Sequence, residues 1–194
     1  MEFKNEIGLI QRRMASSIAG TSRRLEILNA LDIESGQYVL DIGCGGGHLL
    51  EEIAKAVGPE GKAYGLDTSE DQLNQARKRC SLFKNVFTIK GYANQINLEN
   101  NSCDSICSVQ TFEYIDNVDD SIKELTRILK PSSIFVNISI LWEYYKFFGA
   151  DEELNKTIHD TFKAHCFHQM LPTSLEGKLK KFGFKNIKHK PLPM

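Results

Sequence analysis

The stretch Tyr38-Val39-Leu40-Asp41-Ile42-Gly43-Cys44-Gly45-Gly46-Gly47 constrains this chain more than any other. A short apolar run ends abruptly in glycines. A helical pattern then starts at His48 and runs to Val57, with Leu49, Leu50, Ile53, Ala54 and Val57 on its apolar side. Strand, glycine turn and helix in that order open the ligand site of many α/β sheets. Gly58-Pro59-Glu60-Gly61 ends the helix, and the alternation then repeats. Lys62 to Leu66 is a second strand ending at Asp67, and Ser69 with Gln72 caps a helix to about Cys80. Asn85 to Ile89 is a third strand. Cys103 to Val109 is a fourth, whose unalternating apolar run suits burial on both faces. Val118 to Leu129 is helical, Lys130-Pro131-Ser132-Ser133 a turn, and Ile134 to Ile140 a fifth strand.

This alternation predicts an α/β fold: a Rossmann-like, doubly wound, mostly parallel sheet with helices on both faces. N-terminal helices precede it, with one apolar stripe at Ile7, Ile10, Met14 and Ile18 and another at Leu25, Leu28 and Leu31. Helices over Asp151 to His165 and Ser174 to Phe182 follow, and Lys185 to His189 reads as a sixth strand. The expected organisation is a single domain over residues 1–194. Residues 1–35 form an N-terminal helical lid, 36–140 the core, 141–172 a helical lid insertion, and 173–194 the last helix and strand.

Composition narrows the class. The chain has 194 residues and a formal net charge of -1, so no global attraction to nucleic acid is expected. The lysines between Lys178 and Lys190 read as a solvated face. Five cysteines, an odd number without C-x-x-C spacing, argue against a disulfide framework or a structural metal site and for a reducing, cytoplasmic setting. The N-terminal stretch is charged and has no apolar core, so no signal peptide is expected. The longest apolar stretch, Ile134 to Trp142, is too short to span a bilayer.

The glycines alone indicate only a nucleotide-like ligand. Gly43, Gly45 and Gly47 allow tight turning and close backbone approach, while the third glycine of a nicotinamide fingerprint would fall on His48. Asp41 discriminates further. A carboxylate two residues ahead of the first glycine would repel a pyrophosphate. It suits a ligand carrying an amino group and a sulfonium, and S-adenosylmethionine has both and no phosphate. Asp41 can also hydrogen-bond the loop, and the two roles are compatible. Asp67 ends the second strand where such folds place an acid on the ribose hydroxyls.

These residues resemble the class I S-adenosylmethionine-dependent methyltransferases, in the small-molecule subgroup that includes ubiquinone/menaquinone-biosynthesis and arsenite methyltransferases. The resemblance covers about Gln37 to Val136. It rests on Val39 to Gly47, on Gly65-Leu66-Asp67, and on Phe112-Glu113-Tyr114-Ile115 followed by Glu124 to Pro131. It implies that Gly43 and Gly45 bring backbone to the methionine part of the cofactor and that Asp41 supports its amino group. It further implies that Asp67 binds the ribose, Thr68 packs beside the adenine, the Ala93 amide meets the adenine ring, and Gln110 faces the methionine end. The product would be S-adenosylhomocysteine.

Two departures stand out. The family's Gly-Asp-Ala reads Gly91-Tyr92-Ala93, so the acid that would accept from the adenine amino group is missing. Class I folds also insert an antiparallel seventh strand between the fifth and the sixth, and this chain is expected to lack it. The expectation is then either a truncated form or isoform, or a partner chain, in a dimer, that completes the sheet.

Methyl transfer is an in-line displacement that relies on alignment and water exclusion, so no catalytic dyad is required. Residues 141–172 are rich in aromatics and histidines, which suits a small planar or apolar acceptor: Trp142, Tyr144, Tyr145, Phe147, Phe148, His159, Phe162, His165, Phe167 and His168. His165, His168 and Tyr114 are the candidate bases. Arsenite chemistry would need converging thiolates, whereas Cys103 and Cys107 read as packing residues. The rival expectation is a non-catalytic scaffold or regulatory protein on the same fold, possibly a truncated isoform.

Overall fold

The computed structural model describes residue 9 and residues 12–146 and 149–192. Ile7, Ile10, Phe147, Phe148, Pro193, Met194 and the side chain of Phe162 lie outside the described residues. The strands are β1 (Tyr38–Ile42), β2 (Lys62–Asp67), β3 (Val86–Lys90), β4 (Cys103–Val109) and β5 (Leu129–Ile138). The helices are α1 (Ile18–Leu31), α2 (His48–Val57), α3 (Glu70–Arg79), α4 (Val118–Ile128), α5 (Glu152–Lys163) and α6 (Leu171–Lys181). The strands form one parallel sheet in the order β3-β2-β1-β4-β5. The chain thus winds outward from β1 in both directions, and the crevice between the carboxyl ends of β1 and β4 is the switch point.

Each face of the sheet carries its own core. Ile27 and Leu31 of α1 and Leu49, Leu50, Ile53 and Val57 of α2 cover one face. Ile122, Leu125 and Ile128 of α4 and Leu171, Leu175 and Leu179 of α6 cover the other. The helices start where their sequences say they should. Ser69 caps α3 by accepting from the Gln72 amide, and Asn117 caps α4 by accepting from Asp120. Among the described residues no helix is long and apolar enough to cross a membrane.

Three expectations change. Ile18, of the first expected stripe, is 91 % exposed, and of the second stripe Leu25 is 58 % exposed while Leu28 and Leu31 do pack on the core. The inner face of α1 is Gly20, Ile27 and Leu31, and a Cβ at Gly20 would lie 2.4 Å from the Ala15 carbonyl oxygen. The turn at 130–133 is absorbed into β5. Pairing jumps from Cys103↔Leu129 to Ser105↔Ile134, and Ser132 bulges out at φ 65. The sixth strand does not form: Lys185 to His189 has no sheet partner among the described residues. Asn186 turns left-handed at φ 55, and Phe184 and Ile187 pack onto the core instead. His189 bonds Glu176 on α6, and the next residue, Lys190, bonds Glu26 on α1. These helices cover opposite faces, so the segment straps the sheet beside the edge strand β5.

Candidate functional site

The glycine loop is tied to the end of β2. The Gly43 and Cys44 amides donate to the Leu66 carbonyl at 2.8 and 3.0 Å, and the Gly45 amide donates to Asp67 Oδ2 at 2.9 Å. Gly43, Gly45 and Gly47 all take positive φ (74, 51 and 78), which disfavours any side chain. At Gly43 space forbids one as well, because a Cβ there would lie 2.0 Å from Thr111 Oγ1. The turn therefore presses against the residue that follows Gln110 at the end of β4.

Asp41 lies beneath this loop, paired in register with Gly65 of β2 and Cys107 of β4. It is 2 % exposed. Burial first, and the Asp67 carboxylate second, push its carboxyl up to about 7, against a weak opposing bond from the Cys107 thiol at 3.8 Å. Asp67 is also shifted upward by burial, opposed by the Ser69 and Gly45 amides that it accepts. Two acids thus share one half-closed site with no cation of the protein bonded to either among the described residues.

The seven residues expected to hold a cofactor fall at the carboxyl ends of four neighbouring strands. Asp41 lies near the end of β1, with Gly43 and Gly45 just after it, and Asp67 ends β2, with exposed Thr68 next. Buried Ala93 follows β3, where the Gly91 amide donates to the Asp67 carbonyl at 3.2 Å. Gln110 follows β4, in the left-handed region at φ 50. Tyr92, at the position of the missing acid, is 70 % exposed.

Four further side chains border this site, and sequence reasoning did not single them out for it. Arg23 of α1 donates to Gln110 Oε1 at 2.6 Å. Burial holds its guanidinium below the usual value, and among the described residues no carboxylate lies within ion-pair distance of it. Arg12 reaches Asp71 and Gln72 and lies against Gly46, and Arg79 donates to the Gly46 carbonyl. His48 bonds Ser16 at 2.9 Å. Burial, then Arg79 and Arg24, lower its imidazole to about 4, so the ring is neutral at pH 7. These partners lie far apart in sequence, and no local motif marks them.

The candidate bases are not gathered in the same way. Tyr114 packs against the cluster of Ile140, Trp142 and Cys166, and burial raises its phenol. His168 bonds the Asp116 carbonyl at 3.0 Å and borders a cleft of about 510 Å³ with Cys166, Phe167 and Met170. His165 is exposed. All five cysteines are buried free thiols, and burial pushes Cys166 up to about 11, which disfavours thiolate chemistry at that position.

Comparison with known proteins places this geometry. Residues 33–189 match the model of a family described as a methyltransferase domain. An uncharacterised 37.1 kDa protein of transposon Tn4556 from Streptomyces fradiae is 30% identical over 153 residues, covering 78% of this chain and 44% of that protein. The demethylmenaquinone methyltransferase of Geobacillus stearothermophilus is 32% identical over 115 residues, covering 58% of this chain and 49% of that protein. The chain thus spans about half the length of the curated relatives it matches. Among solved structures, a SAM-dependent methyltransferase from Aquifex aeolicus superposes with TM-score 0.69 at 22% identity, covering 89% of this chain and 86% of that one. The phosphoethanolamine N-methyltransferase 2 of Haemonchus contortus, in complex with S-adenosyl-L-methionine, superposes with TM-score 0.68 at 25% identity, covering 86% and 37%.

Proposed function

The chain belongs to the methyltransferase domain family, and we propose that it transfers a methyl group from S-adenosylmethionine to an O, N or C nucleophile of a small molecule. One observation carries this reading: a buried Asp41 carboxyl, paired with no cation among the described residues, beneath a loop whose turn leaves no room for a side chain at Gly43. That cradle fits a cationic, phosphate-free nucleoside. Asp41 serves the amino group, Asp67 the ribose, and Thr68 and Ala93 the adenine side. Gln110 and Arg23 serve the methionine end, where the guanidinium receives a carboxylate in the bidentate manner arginine favours.

S-adenosylmethionine supplies an electrophilic methyl group when bound. The residues of the chain hold it, keep water out and align the acceptor, so that the new bond forms in line with the carbon–sulfur bond that breaks. A base is needed only where the acceptor carries a proton near neutrality. The raised phenol of Tyr114 stays protonated, so among the candidate bases His168 is better suited to that task. The free buried thiols agree with a cytoplasmic setting.

Calorimetry with S-adenosylmethionine and S-adenosylhomocysteine tests the binding step, with Asp41→Ala as the comparison. Binding of neither ligand, or equal binding by the variant, refutes the cofactor reading. Turnover against phenols, quinols and amines then separates an enzyme from a protein that binds the cofactor without using it.

A further inference from the structure

Glu113 follows Gln110 and Thr111 in the 3-10 turn Phe112–Tyr114, and it is completely buried. Its position is unusual because it touches both ends of the lid. Its Oε1 accepts from the Ile140 amide at 3.0 Å, one residue before the lid begins. Its backbone carbonyl accepts from the His168 amide at 3.1 Å and the Cys166 thiol at 3.5 Å, where the lid ends. The lid also closes on itself through the Trp142 amide and the Gln169 carbonyl at 2.9 Å. Oε2 of Glu113 is buried without a hydrogen-bond partner among the described residues. A carboxyl of this kind is not placed for packing alone, since an apolar side chain would fill the same space without desolvating a polar group.

We propose that Glu113 is a positioning residue whose carboxyl latches the lid over residues 141–172 to the end of β4, and that gain or loss of its proton sets how tightly the lid closes. Burial raises this carboxyl to about 7, outweighing its own amide, the Ile140 amide and the Ser139 hydroxyl, all of which favour the ionised form. The titratable groups around it are the Tyr114 phenol on its own turn and the Cys166 thiol and His168 imidazole at the end of the lid. The end of β5 contributes the uncharged Ser139 hydroxyl. None of these neutralises a carboxylate in the way an arginine or lysine would. The ionised form is therefore drawn toward water, and water reaches it when the lid opens. The lid is held shut at lower pH and loosens as pH rises through neutrality. That places the latch between the cofactor end of β4 and the acceptor-side wall, and so it rests on the assignment of residues 141–172 as the acceptor lid.

Trp142 provides the readout, because it is the single tryptophan of the chain and packs with Ile140 and Cys166. Its quenching by acrylamide is measured in the full chain from about pH 5 to about pH 9, a range that spans the expected protonation change. Quenching should rise about twofold or more across neutrality, as a locally opening segment would give. Glu113→Gln keeps an oxygen for the Ile140 amide but cannot ionise, so its quenching should stay low and flat. Glu113→Ala removes the latch and should be quenched strongly at every pH. Should that variant not fold, the loss of titration in Glu113→Gln decides the matter alone. Two controls, His168→Gln and His159→Gln (the His159 ring meets the Tyr145 carbonyl beside Trp142), should keep the titration. A flat wild-type curve overturns the proposal. So does a titration that survives in Glu113→Gln, or one that vanishes in a histidine variant. The measurement needs no methyl transfer, so a failed latch and a failed cofactor assignment give different results: the first changes quenching, the second abolishes calorimetric binding of S-adenosylhomocysteine.

Discussion

Replacing Asp41 by Asn should make the cofactor-free chain more stable and its cofactor weaker. The Asp41 carboxyl rises from its ordinary 3.8 to about 7 through burial and the nearby Asp67. That rise corresponds to about 4 kcal/mol against the ionised form. A raised carboxyl binds its proton more tightly in the folded than in the unfolded chain. The stability associated with the neutral form is complete below 3.8, falls as pH rises, and is lost above about 7. Asn has no proton to lose, so the advantage of the variant should grow between those two values. Local water penetration reduces the full penalty. A gain of about 2 kcal/mol at about pH 8 is expected, or about 4–8 °C in Tm for a chain of this size. Asn also keeps an oxygen for the Cys107 thiol, so packing changes little. The same substitution removes the charge opposite an ammonium. Affinity for S-adenosylhomocysteine should fall about thirtyfold, which is about 2 kcal/mol. Below neutrality the wild-type chain should also release a proton on binding, seen as calorimetric heats that differ between buffers of different ionisation enthalpy, and the variant should not. A variant that is less stable than wild type at about pH 8, with unchanged affinity, would refute both the uncompensated charge and its purpose.

Gly43→Ala combines φ 74 with a 2.0 Å approach to Thr111 Oγ1; it should lower stability by about 2 kcal/mol or more in urea unfolding and abolish cofactor binding, and Thr111→Ala should restore only the steric part. Asp67→Asn leaves one oxygen for two amides, Gly45 and Ser69; adenosine affinity should drop about tenfold by calorimetry. Arg23→Gln should weaken S-adenosylhomocysteine about tenfold while sparing methylthioadenosine, which has no amino-acid tail; equal losses for both would show that Arg23 acts only through the fold.

The parts of the fold that were legible in the sequence carry local signals. The limits of β1 and α2 follow from the glycines and from one amphipathic period. Ser69 announces α3 because a side-chain cap needs only its own neighbours. The convergence of Asp41, Asp67, Ala93 and Gln110 follows from topology, since a parallel sheet brings every strand end to the same rim. Long-range contacts left no such mark. Arg23 meets Gln110 across 87 positions, and Ile140 meets Glu113 across 27. Periodicity identified α1 as a helix but not its rotation, which is set by Gly20 allowing close approach and by Ile27 filling the core. The segment Lys185 to His189 follows the stop at Gly183 and can be extended, yet a strand exists only where a neighbour offers hydrogen bonds. Asn186 and the strap to Glu26 take that segment elsewhere.

The charges at the site make sense only when a ligand is counted with the fold. Burial raises both Asp41 and Asp67, Asp67 adds to the rise at Asp41, and Arg23 gives its guanidinium to a neutral amide. A chain selected for stability alone would pair these opposite charges or replace them with apolar groups. Here each sign has an uncharged partner instead: the Cys107 thiol and the loop amides for the acids, Gln110 for the arginine. Such an arrangement favours a guest that carries both an ammonium and a carboxylate, because each of its ends relieves one unfavourable burial. A dinucleotide would relieve neither acid and would add like charge beside them. The same reasoning separates Glu113 from this set. Its carboxyl is fully buried and bonded to the Ile140 amide, so a proton rather than a ligand is the species that can neutralise it.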